Sequence, residues 1–312
     1  MNETTGRILQ QVNSVVIGKE EVTEKVLMAV LAQGHVLLED VPGVGKTTMA
    51  LAFARTLGLD SRRVQFTSDT MPSDIIGFSV YNKDTGAFDF KSGAVMTNLL
   101  LADEINRTSS KTQSALLEAM EEYQVTVDGQ TYPLPEPFVV LATQNPVGSA
   151  GTQLLPSSQL DRFMIRTTMG YPDRQSQLEI LRERHHENPL DRLEGVVTKE
   201  ELLQLAEQAR QVHIAESIYD YIVELVSATR SNEYIDLGIS PRGALALCRM
   251  AKAHGFVRGR DFVTPEDVYE VFDAVCAHRL VLSAKARLGK LTAEEITCRI
   301  REQVAVPQVA AL

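Results

Sequence analysis

Asp40-Val41-Pro42-Gly43-Val44-Gly45-Lys46-Thr47 follows the apolar stretch Val36-Leu37-Leu38 and precedes the helix-forming Met49-Ala50-Leu51-Ala52. A strand, a glycine-rich turn and a helix start, in that order, are the setting in which a phosphate-binding loop works. Gly43 and Gly45 let the backbone curl until successive N–H groups converge on one anion, and the helix N-terminus adds positive potential. Lys46 can then reach β- and γ-phosphates, and the Thr47 hydroxyl can ligate Mg²⁺. One position departs from the general pattern: the loop normally opens on Gly, and this chain has Asp40.

Leu99-Leu100-Leu101-Ala102-Asp103-Glu104 supplies the complementary chemistry, an apolar strand ending in two acids. Asp103 can hold Mg²⁺ through its water shell. Glu104 can polarise an attacking water, because hydrolysis needs a base or orienting group beside the γ-phosphate. Ala142-Thr143-Gln144-Asn145-Pro146 ends another buried strand, from which Asn145 can orient that water. Leu160-Asp161-Arg162-Phe163 precedes a strand, and Ile239-Ser240-Pro241-Arg242-Gly243 opens a helix. Taken singly, each arginine reads as half of a surface ion pair. Taken together they resemble the two arginines that complete an ATP site from outside the phosphate loop.

Positioning these residues requires a wound α/β domain. Strands are expected at Val36–Leu38, Val64–Phe66, Leu99–Ala102, Phe138–Thr143 and Met164–Thr167. Most are continuous apolar runs without alternation, as strands buried on both faces of a parallel sheet read. Helical patterns at Lys19–Gln33, Thr47–Leu57 and Ser110–Glu122 lie between them, so phosphates are expected at the carboxyl edge of the sheet. After about Pro189 the strands give way to helices. Thr198-Lys199-Glu200-Glu201 and Thr292-Ala293-Glu294-Glu295 are capping boxes, while Ser240-Pro241 and Thr264-Pro265 put Pro behind a hydroxyl cap. The expected division is an α/β nucleotide-binding domain over residues 1–188 and a small helical lid over 189–312. Two hairpins interrupt the first part: Phe78–Tyr81 with Ala87–Phe90, and Gln124–Val127 with Gln130–Tyr132 around the turn Asp128-Gly129.

Composition is that of an ordinary globular protein, 44% hydrophobic and 23% charged over 312 residues. The first residues lack the apolar core of a signal peptide, and no run is long enough to span a bilayer, so a cytoplasmic protein is expected. A net charge of −10 argues against broad nucleic-acid affinity. Cys248, Cys276 and Cys298 have neither a disulfide framework nor metal-ligand spacing, and read as small apolar residues.

The whole set resembles the MoxR family of AAA+ ATPases. The resemblance rests on Val16-Ile17-Gly18-Lys19, Glu39 to Thr47, Leu101-Ala102-Asp103-Glu104-Ile105-Asn106-Arg107 and Ala115-Leu116-Leu117-Glu118-Ala119-Met120. It continues through Ala142 to Pro146, Leu160 to Phe163 and Ser240 to Gly243, and spans almost the entire chain in the family's order. It implies a P-loop AAA+ sheet with a helix-2 insert at Phe78–Phe90, a pre-sensor 1 hairpin at Gln124–Tyr132, and a lid. It also implies ATP and Mg²⁺ as cofactors. Val16, Ile17 and Gly18 would border the adenine; Pro42, Gly43, Val44, Gly45, Lys46, Thr47 and Thr48 would hold the phosphates. Thr47 and Asp103 would serve Mg²⁺, Asp103 and Glu104 would be Walker B, and Asn145 would be sensor 1. Arg162 would be the arginine finger given to a neighbouring subunit. Arg242 would be sensor 2, reaching from the lid to the γ-phosphate of its own subunit.

An arginine finger in trans implies a homo-oligomeric ring, typically of six copies. The family implies a chaperone-like activator of a protein partner, including metal-cofactor insertion and complex maturation, often with a von Willebrand factor A domain protein. The alternatives are a nucleic-acid motor or a magnesium-chelatase-type motor subunit on the same core. Against the first, Gln124–Tyr132 carries no Lys or Arg, and Lys83 and Lys91 are offset by Asp84 and Asp89.

Overall fold

Each of the five apolar runs becomes a strand of one parallel sheet. The computed structural model of the protein describes residues 1–41, 43–145, 155–183 and 189–307. In chain order the strands are Val36–Glu39 (β1), Ser61–Gln65 (β2), Gly77–Asn82 (β3), Ala87–Ser92 (β4), Leu99–Asp103 (β5), Gln124–Val127 (β6), Gln130–Pro133 (β7), Val139–Gln144 (β8), Ile165–Thr167 (β9), Ile235–Leu237 (β10) and Val281–Leu282 (β11). The main sheet has the order β2-β5-β8-β1-β9. Its register pairs Leu38 with Thr143, Ala102 with Ala142, and Gln65 with Asp103. The carboxyl ends of β1, β5 and β8 therefore stand side by side, where the loop, the two acids and Asn145 follow.

The inner strands β1, β5 and β8 are largely apolar because helices cover both faces. Val36, Leu38, Leu99, Leu101, Val139 and Leu141 enter one apolar cluster with Phe53 and Leu27. Leu37, Leu100, Ala102, Val140 and Ala142 enter a second, with Phe66, Leu116 and Phe163. β2 is different. It forms the sheet's edge, and Ser61, Arg62 and Arg63 are exposed, so the apolar signal at Val64–Phe66 marked only its inner end.

The first cluster continues without a break into the helices Lys199–Gln211, Glu216–Arg230, Pro241–Val257 and Pro265–Cys276, through Leu225, Leu247, Met250 and Phe272. Thr198 and Thr292 close the capping boxes that the sequence announces, and Ser240 Oγ accepts from the Gly243 N–H at 3.1 Å. The helical part also contains a short antiparallel ribbon, β10 with β11. Strands of three and two residues are too short to show a period. An N-terminal helix, Glu3–Asn13, is capped by the Asn2 side chain and tied to the lid by Asn2 N–H donating to the Val257 carbonyl at 2.9 Å. Among the described residues, no helix is long and apolar enough to cross a membrane.

Both expected hairpins form: β3 pairs with β4, and β6 with β7 around Asp128 and Gly129, each at positive φ. They are joined, since Phe90 of β4 stacks on Tyr132 of β7 with ring centroids 3.9 Å apart. Tyr132 is thus half of an internal contact, while Phe88 is 71% exposed.

Candidate functional site

Gly43 and Gly45 take φ of +88° and +102°, values that L side chains avoid, and a Cβ on Gly43 would meet open space. Gly45 caps the helix Lys46–Thr56, so the loop feeds directly into a helix N-terminus of the kind that binds anions. Lys46 Nζ donates to the carbonyls of Asp40 at 2.8 Å and Val41 at 3.2 Å. Burial lowers its pKa, opposed by the nearby charges of Asp40, Asp103 and Glu104. Pro42 lies outside the described residues.

Asp40, the departure from the usual loop, is buried and employed. Its carboxylate accepts from the Gly170 N–H at 3.1 and 3.2 Å, and from the Met169 N–H. A glycine there would leave both donors without this partner. The acid therefore ties the start of the phosphate loop to the segment leaving β9. That segment also carries the Val16–Gly18 side of the cleft: Lys19 Nζ donates to the Tyr171 carbonyl at 3.0 Å, and a Cβ on Gly18 would fall 2.1 Å from Ser176 Oγ. Gly18 is required for that approach. Val16 is buried, and Ile17 is half-buried beside it.

At the end of β5, Asp103 accepts from Arg63 Nε at 2.7 Å and from Thr143 Oγ1 at 3.3 Å. Glu104 has φ +57° and ψ +48°, a left-handed conformation uncommon for a non-glycine residue. Its N–H donates to Thr143 Oγ1 at 2.9 Å and its carboxylate accepts from Arg107 Nη1 at 2.7 Å. Burial raises the Glu104 pKa, but hydrogen bonds from Arg107 and Asn145 outweigh it and hold the group below the usual glutamate range. Asn145 is pinned by its backbone: its N–H donates to Asn106 Oδ1 at 3.3 Å, and its carbonyl accepts from Asn106 Nδ2 at 3.2 Å. Its Oδ1 is buried without a partner among the described residues.

The structure thus gathers Lys46, Asp103, Glu104 and Asn145 at one edge of the sheet, with Thr47 and Thr48 in the first turn of the helix that follows the loop. These residues fit a nucleotide with Mg²⁺: two left-handed glycines, of which Gly43 faces open space, a lysine among three acids, and an orphaned buried amide oxygen. Sequence reasoning missed Arg63, Asn106, Arg107 and Thr143 as site residues. Asn106, Arg107 and Thr143 lay inside the quoted motifs, whereas nothing at Arg63 marked it.

Arg162 and Arg242 stand elsewhere. Arg162 Nε and Arg242 Nη1 each lie 3.0 Å from a different oxygen of Glu121. The start of the helix Pro241–Val257 is fixed there because Ser240 Oγ donates to Asp161 Oδ2 at 3.1 Å, and Arg279 Nε donates to Asp161 Oδ1 at 2.8 Å. Residues 161 and 162 precede β9, whose Ile165 pairs with Val36 at the start of β1. The arginines therefore occupy the amino edge, and the four residues of β1 separate them from the loop by roughly 13 Å. The Asp161 tether holds the start of the helix that bears Arg242, and Arg242 stands beside Arg162 at this edge.

Comparison with known proteins agrees with the geometry. Residues 35–165 match the ATPase family associated with various cellular activities (AAA), and residues 227–299 match the AAA lid domain. The chain is 46% identical over 302 residues to the protein YeaC of Bacillus subtilis, covering 97% of this chain and 94% of that one. It is 40% identical over 318 residues to Chaperone MoxR1 of Mycobacterium tuberculosis, covering 99% and 84%. A crystal structure described as a candidate ATPase from Cytophaga hutchinsonii superposes with a TM-score of 0.90 at 40% identity, covering 98% and 95%. Likeness of this degree over nearly the whole length settles the family: the chain belongs to the MoxR family of AAA+ ATPases.

Proposed function

We propose that this protein hydrolyses ATP in a ring of copies, six being the family's usual number, and applies the resulting motion to a protein client as a chaperone. The observation that carries the reading is the pairing of Arg162 with Arg242 at the sheet edge away from their own phosphate loop. Two partly exposed guanidiniums gathered there serve a second copy's nucleotide. In the assembled site, the loop N–H groups and Lys46 bind phosphate, and Val16, Ile17 and Gly18 border the base. Thr47 and Asp103 would hold Mg²⁺, which would supply charge neutralisation on the phosphate oxygens. Glu104 orients the attacking water, with Asn145 fixing the Glu104 carboxylate. The neighbour's Arg162 and Arg242 offset the charge that builds on the γ-phosphate.

The client side rests on the chaperone name of the Mycobacterium relative and on the exposed Phe78, Val80, Tyr81 and Phe88 of the β3–β4 hairpin. A von Willebrand factor A domain protein is the partner we infer, in complex maturation or metal-cofactor insertion. Nucleic acid is not the substrate in this reading, because Asp128 tips one hairpin and Asp89 accepts from Asn82 within the other.

The test is a mixing experiment. Arg162→Ala and Arg242→Ala are each expected to bind ATP and to lose turnover on the order of a thousandfold. Mixed with Lys46→Ala, each is expected to regain activity, because hybrid interfaces join an intact loop to an intact arginine pair. Recovery with Arg162→Ala but not with Arg242→Ala would return Arg242 to its own copy's nucleotide. Recovery with neither, in verified mixed rings, would remove action in trans.

A further inference from the structure

Glu121 sits in the last turn of the helix Ser110–Glu122, where a carboxylate faces the negative end of the helix dipole and no basic residue of that turn offsets it. Arg242 has the opposite problem, a cation in the first turn of the helix Pro241–Val257. Neither placement favours its own helix. What the two have in common is each other, and Arg162: one carboxylate receives Arg162 Nε on Oε2 and Arg242 Nη1 on Oε1, both at 3.0 Å.

The backbone that carries Glu121 is fixed from both sides. The Met120 carbonyl lies 3.0 Å from His35 Nε2, and Tyr123 leaves the helix at φ +52° with its hydroxyl donating to the Gln33 carbonyl at 3.1 Å. On the facing side, Asp161, the residue before Arg162, anchors the cap of the helix that bears Arg242 and is itself held by Arg279. Two guanidiniums brought this close repel. A single carboxylate between them removes that repulsion and leaves the group with a net positive charge. A guanidinium has five N–H donors, so each arginine keeps donors beyond the one it gives to Glu121.

We propose that Glu121 is a positioning residue that holds Arg162 and Arg242 as one two-armed clamp for the phosphates of a neighbouring copy's nucleotide. The proposal rests on the trans reading above and adds the residue that makes the two arginines a unit. Glu121 acts through them and touches no nucleotide of its own subunit, whose phosphate loop lies at the opposite edge of the sheet.

The experiment compares Glu121→Gln, which keeps shape but not charge, with Glu121→Asp, which keeps charge on a shorter arm. Glu121→Gln is expected to lower kcat by about ten- to a hundredfold, the usual cost of losing a partner that orients an active group. Binding of a fluorescent ATP analogue to its intact loop is expected to stay within about twofold. Glu121→Asp is expected to fall between Gln and the unmodified protein, and mixing Glu121→Gln with Lys46→Ala is expected to restore turnover. A purely packing role would not place Glu121 on the arginine-donating side of the interface. The proposal is overturned if Glu121→Gln turns over within about twofold of the unmodified protein. It is equally overturned if its mixture fails to recover while the Arg162→Ala mixture does. Failure of the Arg162→Ala mixture itself removes the trans reading, and the clamp with it.

Discussion

Arg107 reaches back one turn to place its guanidinium 2.7 Å from the carboxylate of Glu104, the residue we propose orients the attacking water. The pair gives Glu104 a fixed direction in a backbone conformation that already costs energy for a side chain. It also sets the protonation of the group. Burial alone would raise the Glu104 pKa, and the hydrogen bonds from Arg107 and Asn145 bring it down instead.

Removing Arg107 should therefore move the acid limb of hydrolysis. With Arg107→Ala, the lowering contribution is lost, the Glu104 pKa rises, and the carboxylate protonates at a higher pH. Profiles of kcat against pH should show the acid limb displaced upward in Arg107→Ala. In Glu104→Gln the limb should be absent, with ATP still bound and turnover reduced by orders of magnitude. Lys46→Ala should instead lose nucleotide affinity. An unmoved acid limb would detach Arg107 from the chemistry.

The lid contains a charge cluster whose effect on stability can be measured. Asp267 is fully buried; it accepts from Arg260 Nη1 at 2.7 Å, lies 2.5 Å from His254 Nδ1, and caps its helix through the Thr264 N–H. Burial raises its pKa, but the bonds from His254, Arg260 and Thr264 prevail and hold it well below the ordinary carboxylate range. Because the folded pKa is depressed, the stabilisation is complete above about pH 4 and fades as pH falls below the unfolded value. Asp267→Asn should cost about 3 kcal/mol at neutral pH, since it leaves buried donors and a cation uncompensated. Thermal unfolding of the two proteins should converge in acid. A gap that stays constant with pH would mean that the carboxylate's charge is not what stabilises the lid.

The β3–β4 hairpin offers a clean probe of what the proposed ring works on. Phe88 packs edge-to-face on Tyr81 with centroids 5.5 Å apart, yet its ring remains exposed and distant from the loop in sequence. Phe88→Ala should keep basal ATP turnover and weaken stimulation by a protein client. Fluorescence anisotropy with single- and double-stranded DNA, using ATP-bound Glu104→Gln, should show no tight binding near physiological salt. Tight binding with a steep salt slope, reduced by Lys83→Ala, would favour a nucleic-acid motor.

Much of this could be read in the chain before any coordinates. The strands announced themselves because helices cover both faces of the sheet, leaving no polar alternation in Leu99–Ala102 or Val139–Ala142. Lys46, Asp103, Glu104 and Asn145 were legible because each follows such a strand, and parallel pairing must bring those ends together. β2 was legible only in part, since an edge strand can begin on Ser61-Arg62-Arg63 without burying them. The side of the sheet on which Arg242 stands was not legible. It depends on Asp161 joining Ser240 and Arg279, three residues that no spacing rule connects. Glu121 was hidden for the same reason, as one acid among several on a helix with an ordinary amphipathic pattern.

The tether at Asp40 makes β9 a very short rod. At one end, the segment leaving the strand is bound to the phosphate loop through Gly170; just before the other stands Arg162, paired with Glu121. Three strand residues thus lie between the segment bound to the phosphate loop and the segment that carries Arg162, the arm we propose to act on a neighbouring copy. In the ring proposed above, that rod would link a change at one phosphate loop to the arginine offered to the adjoining site.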